Sequence, residues 1–180
     1  MNCDIYIALG SNLGDRAASI RTGISYLVDR GVELVRLSRL YRSRPKYSPD
    51  QPWFANCVGC FRTRLKPREL LDVCTGAEKA AGRLRRERYG PRELDVDILL
   101  YGREVVSEKD LRIPHPAIPE RLFVLVPLAE ISGTLVVPGM GIVDEMLEKA
   151  RMVLPGREEV AGIGTLTLGE SGPADGEGNP

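Results

Sequence analysis

No stretch of this sequence approaches the roughly eighteen consecutive apolar residues that a helix needs to span a bilayer. The first residues, MNCDIYIALGSN, hold no basic segment followed by a long apolar run, so no secretory signal is expected there. Aromatic residues make up only 6% of the 180 positions, which leaves little material for a platform that stacks single-stranded bases. Formal charge cancels, 25 basic residues against 25 acidic ones, and so balanced a chain is no general binder of polyanions. Cysteine occurs four times, as Cys3, Cys57, Cys60 and Cys74. Cys57 and Cys60 have the C-x-x-C spacing of zinc and redox motifs, but the segment around them, FANCVGCFRTRL, reads as a strand. Positions i and i+3 of a strand face opposite ways, so the pair is read as core or surface thiols. Unpaired thiols suit a reducing, cytoplasmic compartment.

The length suits one domain with a sizeable core. CDIYIALG is a short apolar strand that ends at Gly10. SNLGDR supplies turn and helix-start residues, and Ile20, Ile24, Leu27 and Val28 then recur at helical spacing up to a stop at Gly31. VELVRLSRLY reads as a second strand, and RSRPKYSPDQP, with three prolines, as a long loop of the kind that carries function. WFANCVGCFRTRL is the third strand. Pro67 suits a first helical turn, and Leu70, Cys74, Ala77, Ala81 and Leu84 trace one helix stripe before the strand DVDILLYG.

The order strand, helix, strand, strand, helix, strand is that of a ferredoxin-like α+β sandwich, a mainly antiparallel sheet with helices packed against it. Further on, IPHPAIPERLFVLVPLAEI reads as a Pro-punctuated loop entering a short helix, and GIVDEMLEKARMVL as one more helix. The domain is drawn at residues 1–155. Residues 156–180 are Gly-rich and acidic, with too little apolar surface to offset ordering, and are expected to form a disordered or loosely attached tail. No repeat of solenoid or propeller period is present.

Chemistry enters in RYGPRELDVDILLYG, residues 88–102. Asp95 and Asp97 would share one face of a strand, with Cα atoms about 7 Å apart. Like charges so placed repel, and burial raises the cost, unless a cation or a donor lies between them. DVD alone fits a strand whose solvent face carries acids. It also fits a site for hard cations such as magnesium, which takes one or two carboxylates and completes its shell with water and phosphate oxygens.

The segment just before, GRLRRERYGPR, holds Arg83, Arg85, Arg86, Arg88 and Arg92 with only Glu87 among them. A charge run is often merely solvated. Here a turn at Gly90-Pro91 brings Arg92 toward the aspartates, and guanidinium groups bind phosphate oxygens bidentately. Carboxylates for magnesium beside arginines for a polyphosphate point to phosphoryl transfer from a nucleoside triphosphate. GSNLG is no P-loop, since Gly14 is followed by Asp15 and Arg16, and reads as a strand-to-helix turn. His115, the only histidine, lies near Arg121 in IPHPAIPER. Lone histidines are commonly structural, yet this one also fits as a donor to a phosphate oxygen.

Taken together, YIALGSNLGDR, QPWFANCV, GRLRRERYGPRELDVDILLYG and IPHPAIPERLFVLVPLAEI resemble the 6-hydroxymethyl-7,8-dihydropterin pyrophosphokinase family of folate biosynthesis, in order and over roughly residues 3–150. The resemblance implies transfer of the β,γ-pyrophosphoryl group of ATP to the hydroxymethyl oxygen of a reduced pterin, with release of AMP. On it, Asp95 and Asp97 match the ligands of two magnesium ions. Asn56 matches the side chain that reads the pterin ring, and Phe54 and Phe123 the aromatics that sandwich it. Ser43 and the backbone around Arg44 to Lys46 match the loop along the pterin edge. Glu78, Arg85, Arg92, Ile98, His115 and Arg121 fall at nucleotide-binding positions. Arg83 and Arg92 match arginines of a mobile loop over the reacting phosphates, and with Asp97 form the catalytic set.

Some positions depart from the family pattern: Arg44, Lys46 and Tyr47 make the pterin-side loop basic, and Tyr89 stands where the family usually has tryptophan. No residue is required to act as a base. The implied partners are ATP and a reduced pterin, with no nucleic acid and no membrane; a monomer is the expectation. Two other readings stay open on the residues: a nucleotide-binding module without chemistry, and another magnesium enzyme such as a nuclease or γ-phosphoryl kinase.

Overall fold

The computed structural model describes residues 3–45, 50–83, 90–153 and 160–168. Lys46, Tyr47, Arg85 and Tyr89 lie outside these ranges. The first strand, β1 (Cys3–Ser11), leads through a turn to helix α1 (Arg16–Val28), which Asp15 caps by accepting the Ala18 N–H at 2.9 Å. Strands β2 (Glu33–Leu37), β3 (Leu40–Ser43) and β4 (Phe54–Thr63) follow. Helix α2 (Pro67–Ala80) starts with proline in its first turn, as expected, and Glu69 Oε2 accepts the Lys66 N–H at 2.7 Å. Strand β5 (Asp95–Tyr101) is then followed by a hairpin of β6 (Val106–Ser107) and β7 (Arg112–Ile113). A 3-10 turn (Ile118–Glu120) enters α3 (Leu122–Ser132). A second small hairpin, β8 (Val136–Val137) and β9 (Gly141–Ile142), leads to α4 (Val143–Val153), and β10 (Val160–Gly164) completes the order.

The main sheet is antiparallel throughout, ordered β10-β3-β4-β1-β5, with β2 also paired to β4. This is the ferredoxin-like α+β arrangement, extended by helices on the second face. Alternation along the strands feeds two separate cores. Ile5, Ile7 and Leu9 of β1 with Cys57 and Phe61 of β4 pack under the face that carries Ile20, Ile24 and Leu27 of α1 and Leu70, Cys74 and Ala77 of α2. Tyr6, Val58 and Cys60 face the other way, toward Leu125 and Leu128 of α3 and Met146 and Leu147 of α4. Cys57 and Cys60 therefore lie on opposite faces of β4, as the strand reading requires. Val28, at 46% exposure, does not belong to the helix stripe.

Two departures from the sequence expectations have local causes. VELVRLSRLY is two strands, because Ser38 interrupts it. Its N–H donates to Val58 O at 3.0 Å, and its Oγ accepts the Val58 N–H at 3.0 Å, so β2 and β3 pair with different halves of β4. The chain after residue 156 is also not uniformly loose. β10 pairs with β3, and Leu166 is buried among the residues of the α1–α2 core, so ordered structure continues past the boundary drawn from composition.

Candidate active site

β1 runs between β4 and β5, and it is the register of these three strands that assembles the site. Gly10 pairs with Asn56 on one side and Asp95 on the other, and Ala8 pairs with Val58 and Asp97. Residues directly opposite in antiparallel strands share a face, so Asn56, Gly10 and Asp95 form one row and Val58, Ala8 and Asp97 the next. Small residues in the middle strand leave a hollow between the acids and the amide. A Cβ on Gly10 would lie 2.9 Å from Asn56 Oδ1. The hollow opens on the face of α3, whose entry supplies Arg121 and Phe123.

A cavity of about 200 Å³ occupies this place. It collects most of the residues singled out in the sequence: Ser43, Arg44, Phe54, Asn56, Arg92, Asp95, Asp97, Arg121 and Phe123 all line it. One end is aromatic, with Phe54, Phe123 and Asn56, and Arg44 stands beside it next to Ser43. The other is charged, with Asp95, Asp97, Arg92 and Arg121. Asn56 is buried and its Nδ2 donates to Ser43 Oγ at 2.9 Å.

The two aspartates are not equivalent. Arg92 Nη1 lies 2.7 Å and Arg83 Nη1 3.0 Å from the same oxygen, Asp95 Oδ1. Arg83 also pairs with Glu78 of α2, which accepts the Val96 N–H of β5 at 3.0 Å. Burial pushes the carboxyls of Asp95 and Glu78 above their ordinary range, and the guanidinium groups offset this only in part. Asp97 is the open carboxylate: its side chain is 47% exposed against 22% for Asp95, with Arg121 Nη1 at 3.8 Å from Oδ2.

His115 is tied to β5 through its backbone. Its backbone N–H donates to Leu99 O at 2.9 Å, the carbonyl of the residue where β5 slips one place against β1. Burial pulls its pKa below the ordinary value; the charge of Asp97 opposes this and that of Arg121 adds to it. Nδ1 accepts the Ala117 N–H at 3.2 Å, so the neutral ring carries its proton on Nε2. Ile98 is turned away: its side chain packs with Val96 in the α1–α2 core, which leaves only its backbone to a ligand.

Sequence reasoning did not pick out Asn12. It is fully buried at the end of β1, accepts the Arg92 N–H at 2.8 Å, and donates to Gln51 Oε1 and Pro52 O at 3.2 Å. It thereby ties Arg92 to the segment that precedes Phe54. The available signal was a polar residue directly after an apolar strand, inside GSNLG.

The family described as 7,8-dihydro-6-hydroxymethylpterin-pyrophosphokinase (HPPK) matches the chain over residues 6–133. The 2-amino-4-hydroxy-6-hydroxymethyldihydropteridine pyrophosphokinase of Methylorubrum extorquens is 44% identical over 135 residues, covering 74% of this chain and 85% of that protein. The chain belongs to the HPPK family. Some HPPK relatives are much longer. The folic acid synthesis protein fol1 of Pneumocystis carinii is 44% identical over 138 residues, 77% of this chain, but the match spans only 19% of that protein. Among solved structures, Plasmodium falciparum HPPK-DHPS A437G with STZ-DHP superposes with a TM-score of 0.69 at 13% identity, covering 86% of this chain and 46% of that one, a likeness of fold.

Two carboxylates on one face of β5, both lining the HPPK cavity, suit magnesium, which asks the protein for one or two such ligands. Among the described residues no group of three His, Cys, Asp or Glu side chains is arranged to hold a metal ion.

Proposed function

We propose that this cavity is where the chain, an ATP-dependent pyrophosphokinase of folate biosynthesis, moves the β,γ-pyrophosphoryl group of ATP onto the hydroxymethyl oxygen of 6-hydroxymethyl-7,8-dihydropterin and releases AMP. The observation that carries this reading is the row Asn56–Gly10–Asp95, which sets a heterocycle-reading amide and a polyphosphate-facing acid on one wall, two strands apart. Neighbouring strands are separated by about 4.8 Å, so the two Cα atoms lie about 10 Å apart, the span of a bicyclic ring plus one phosphate.

Phe54 and Phe123 take the flat ring of the acceptor between them, where offset stacking adds about 0.5–1.5 kcal/mol per pair beyond area burial. Asn56 and Ser43 hold its amide edge. Asp95 and Asp97 would hold two magnesium ions, which when bound neutralise the polyphosphate and strengthen attack at the β-phosphorus. Leaving-group charge gathers on the oxygen bridging the α- and β-phosphorus. Arg92 and Arg83, both on Asp95, would stabilise it together with Arg121 beside Asp97, and the Nε2–H of His115 would serve as a further donor to a phosphate oxygen. Glu78 keeps Arg83 and the β5 backbone in place for this. The catalysis is positioning and electrostatics, and it assigns no general base.

No described helix is long and apolar enough to cross a membrane. We place the protein in the cytoplasm as a monomer acting on small molecules. The test is product identity. Protein, magnesium, ATP and the pterin should yield AMP in step with pyrophosphorylated pterin. ADP in its place would mean ordinary γ-transfer, and intact ATP beside active substrate would remove the enzymatic reading altogether.

A further inference from the structure

The row that joins Asp95, Gly10 and Asn56 does not stop at Asn56. Tyr41 of β3 stands opposite Asn56, and Gly162 of β10 opposite Tyr41, so the row runs on to the edge of the sheet. Two residues along, Val160 of β10 pairs with Ser43, which pairs with Phe54. Residues directly opposite share a face, and Val160 packs on the α3–α4 core, the cavity's side of the sheet.

β3 matters to the site because both hydrogen bonds of the Asn56 amide nitrogen end on it, at Ser43 Oγ (2.9 Å) and more weakly at Tyr41 O (3.5 Å). Past Ser43 the chain enters the cavity wall, where Arg44 lies with Arg42 over the Trp53 ring, their guanidinium carbons 5.1 and 5.0 Å from its centroid. Tyr41 has a second anchor, its hydroxyl on Glu130 of α3 at 2.8 Å. Ser43, last in a strand of four residues, takes its backbone ladder from β4 on one side and β10 on the other. A strand end with one ladder instead of two opens at little cost.

β10 is itself fastened. Its register slips between Gly162 and Gly164, so Ile163 is an extra residue, and a bulge of this kind bends the strand. Gly164 has a φ of +132°, which other residues rarely adopt, and nothing lies within 4 Å of where its Cβ would be. Past this bend Leu166 is buried in the α1–α2 core. The segment thus crosses the sheet edge from one core to the other.

We propose that residues 160–166 form a strap that positions the acceptor half of the site, with Leu166 the anchor and Val160 the residue that holds Ser43, and through it Asn56, in place. The inference rests on the reading that the Phe54–Asn56–Phe123 end takes the pterin. The charged end, built on β5 and Arg92, has no contact with the strap's partner strand, so the strap acts on the acceptor and not on the nucleotide.

Equilibrium binding tests it, with magnesium and a nonhydrolysable ATP analogue present and 6-hydroxymethyl-7,8-dihydropterin as probe. Leu166→Ala should weaken the pterin about fivefold or more, leave the nucleotide unchanged, and be rescued in Leu166→Met. Gly164→Ala, which meets no neighbour and acts through the backbone alone, should change binding in the same direction. Coupling is reciprocal, so in the unaltered protein the pterin should slow hydrogen exchange at residues 160–164, which it does not touch, while the ATP analogue alone should not. If Leu166→Ala and Gly164→Ala bind the pterin like the unaltered protein while Asn56→Ala does not, or if they weaken pterin and nucleotide alike, the strap's role is overturned alone. If Asn56→Ala also binds the pterin unchanged, the assignment of this end to the pterin falls with it.

Discussion

Asn56 and Asp95 stand in one row across three strands, with Gly10 of the middle strand between them. The row makes the chemistry a matter of register. On the proposed function, the amide that would read the acceptor and the acid that would face the phosphates are fixed by the same ladder of backbone hydrogen bonds. A slip of one residue in either pairing would turn one of them to the opposite core.

Gly10 is the first place to test this. Its backbone needs no glycine for conformation, but an added Cβ would lie 2.9 Å from Asn56 Oδ1 and 3.8 Å from Phe54 Cδ1. Gly10→Ala should cost about 1–3 kcal/mol of stability through overpacking and raise the pterin dissociation constant about tenfold or more. Titration calorimetry with each ligand in turn separates these effects, and an unchanged pterin affinity would mean that Asn56 is not read by the substrate.

Asp97 is half-exposed and bears little on folding. Asp97→Ala should therefore keep its unfolding free energy within about 0.5 kcal/mol and lower kcat by about 10²–10³-fold or more. Turnover near the normal rate in a variant of unchanged stability would sink the metal assignment.

Asn12 couples two distant segments, so its loss should be felt in both. Asn12→Ala strands the Arg92 N–H and should cost about 1–3 kcal/mol in urea unfolding. It should also weaken nucleotide binding, because Arg92 loses its anchor. Asn12→Asp keeps the acceptor for Arg92 but not the donors to Gln51 and Pro52, and should recover the nucleotide affinity first. Equal nucleotide affinity in all three proteins would leave Asn12 a purely structural residue.

Two buried thiols predict the alkaline limit of stability. Burial pushes Cys57 and Cys74 up from 9.0 to about 12. Unfolded chains shed these protons near pH 9 while the folded protein keeps them, so between pH 9 and 12 the unfolded state holds fewer protons and stability falls as pH rises. The slope reaches about 1.4 kcal/mol per pH unit for each thiol and vanishes below pH 9. Tyr6 and Tyr41, whose phenols burial also raises, add to the fall at higher pH. Urea unfolding at pH 8, 9.5 and 10.5 should show the deficit of Cys57→Ala relative to the unaltered protein shrinking with pH; a constant deficit would contradict it.

The sequence by itself determined a good deal. Alternation placed Cys57 and Cys60 on opposite faces and Asp95 and Asp97 on one, because side-chain direction along a strand is a local property of the backbone. Pro67 and Asp15 marked helix starts for equally local reasons. Motif resemblance singled out Ser43, Asn56, Phe54, Phe123, Arg92 and Arg121, which the fold then brings around one cavity.

Only the tertiary structure decided which residues became neighbours. That Arg83 and Arg92 meet on Asp95, that Glu78 holds Arg83, that Asn12 holds Arg92 and that Arg44 lies on Trp53 all depend on strand register and helix docking. So does the ordering of residues 160–164, which composition assigned to a loose tail: they are held by the open edge of β3, a partner more than a hundred residues earlier in the chain. Periodicity records the face a side chain takes. The identity of what stands opposite is set by long-range pairing, and no window of sequence contains it.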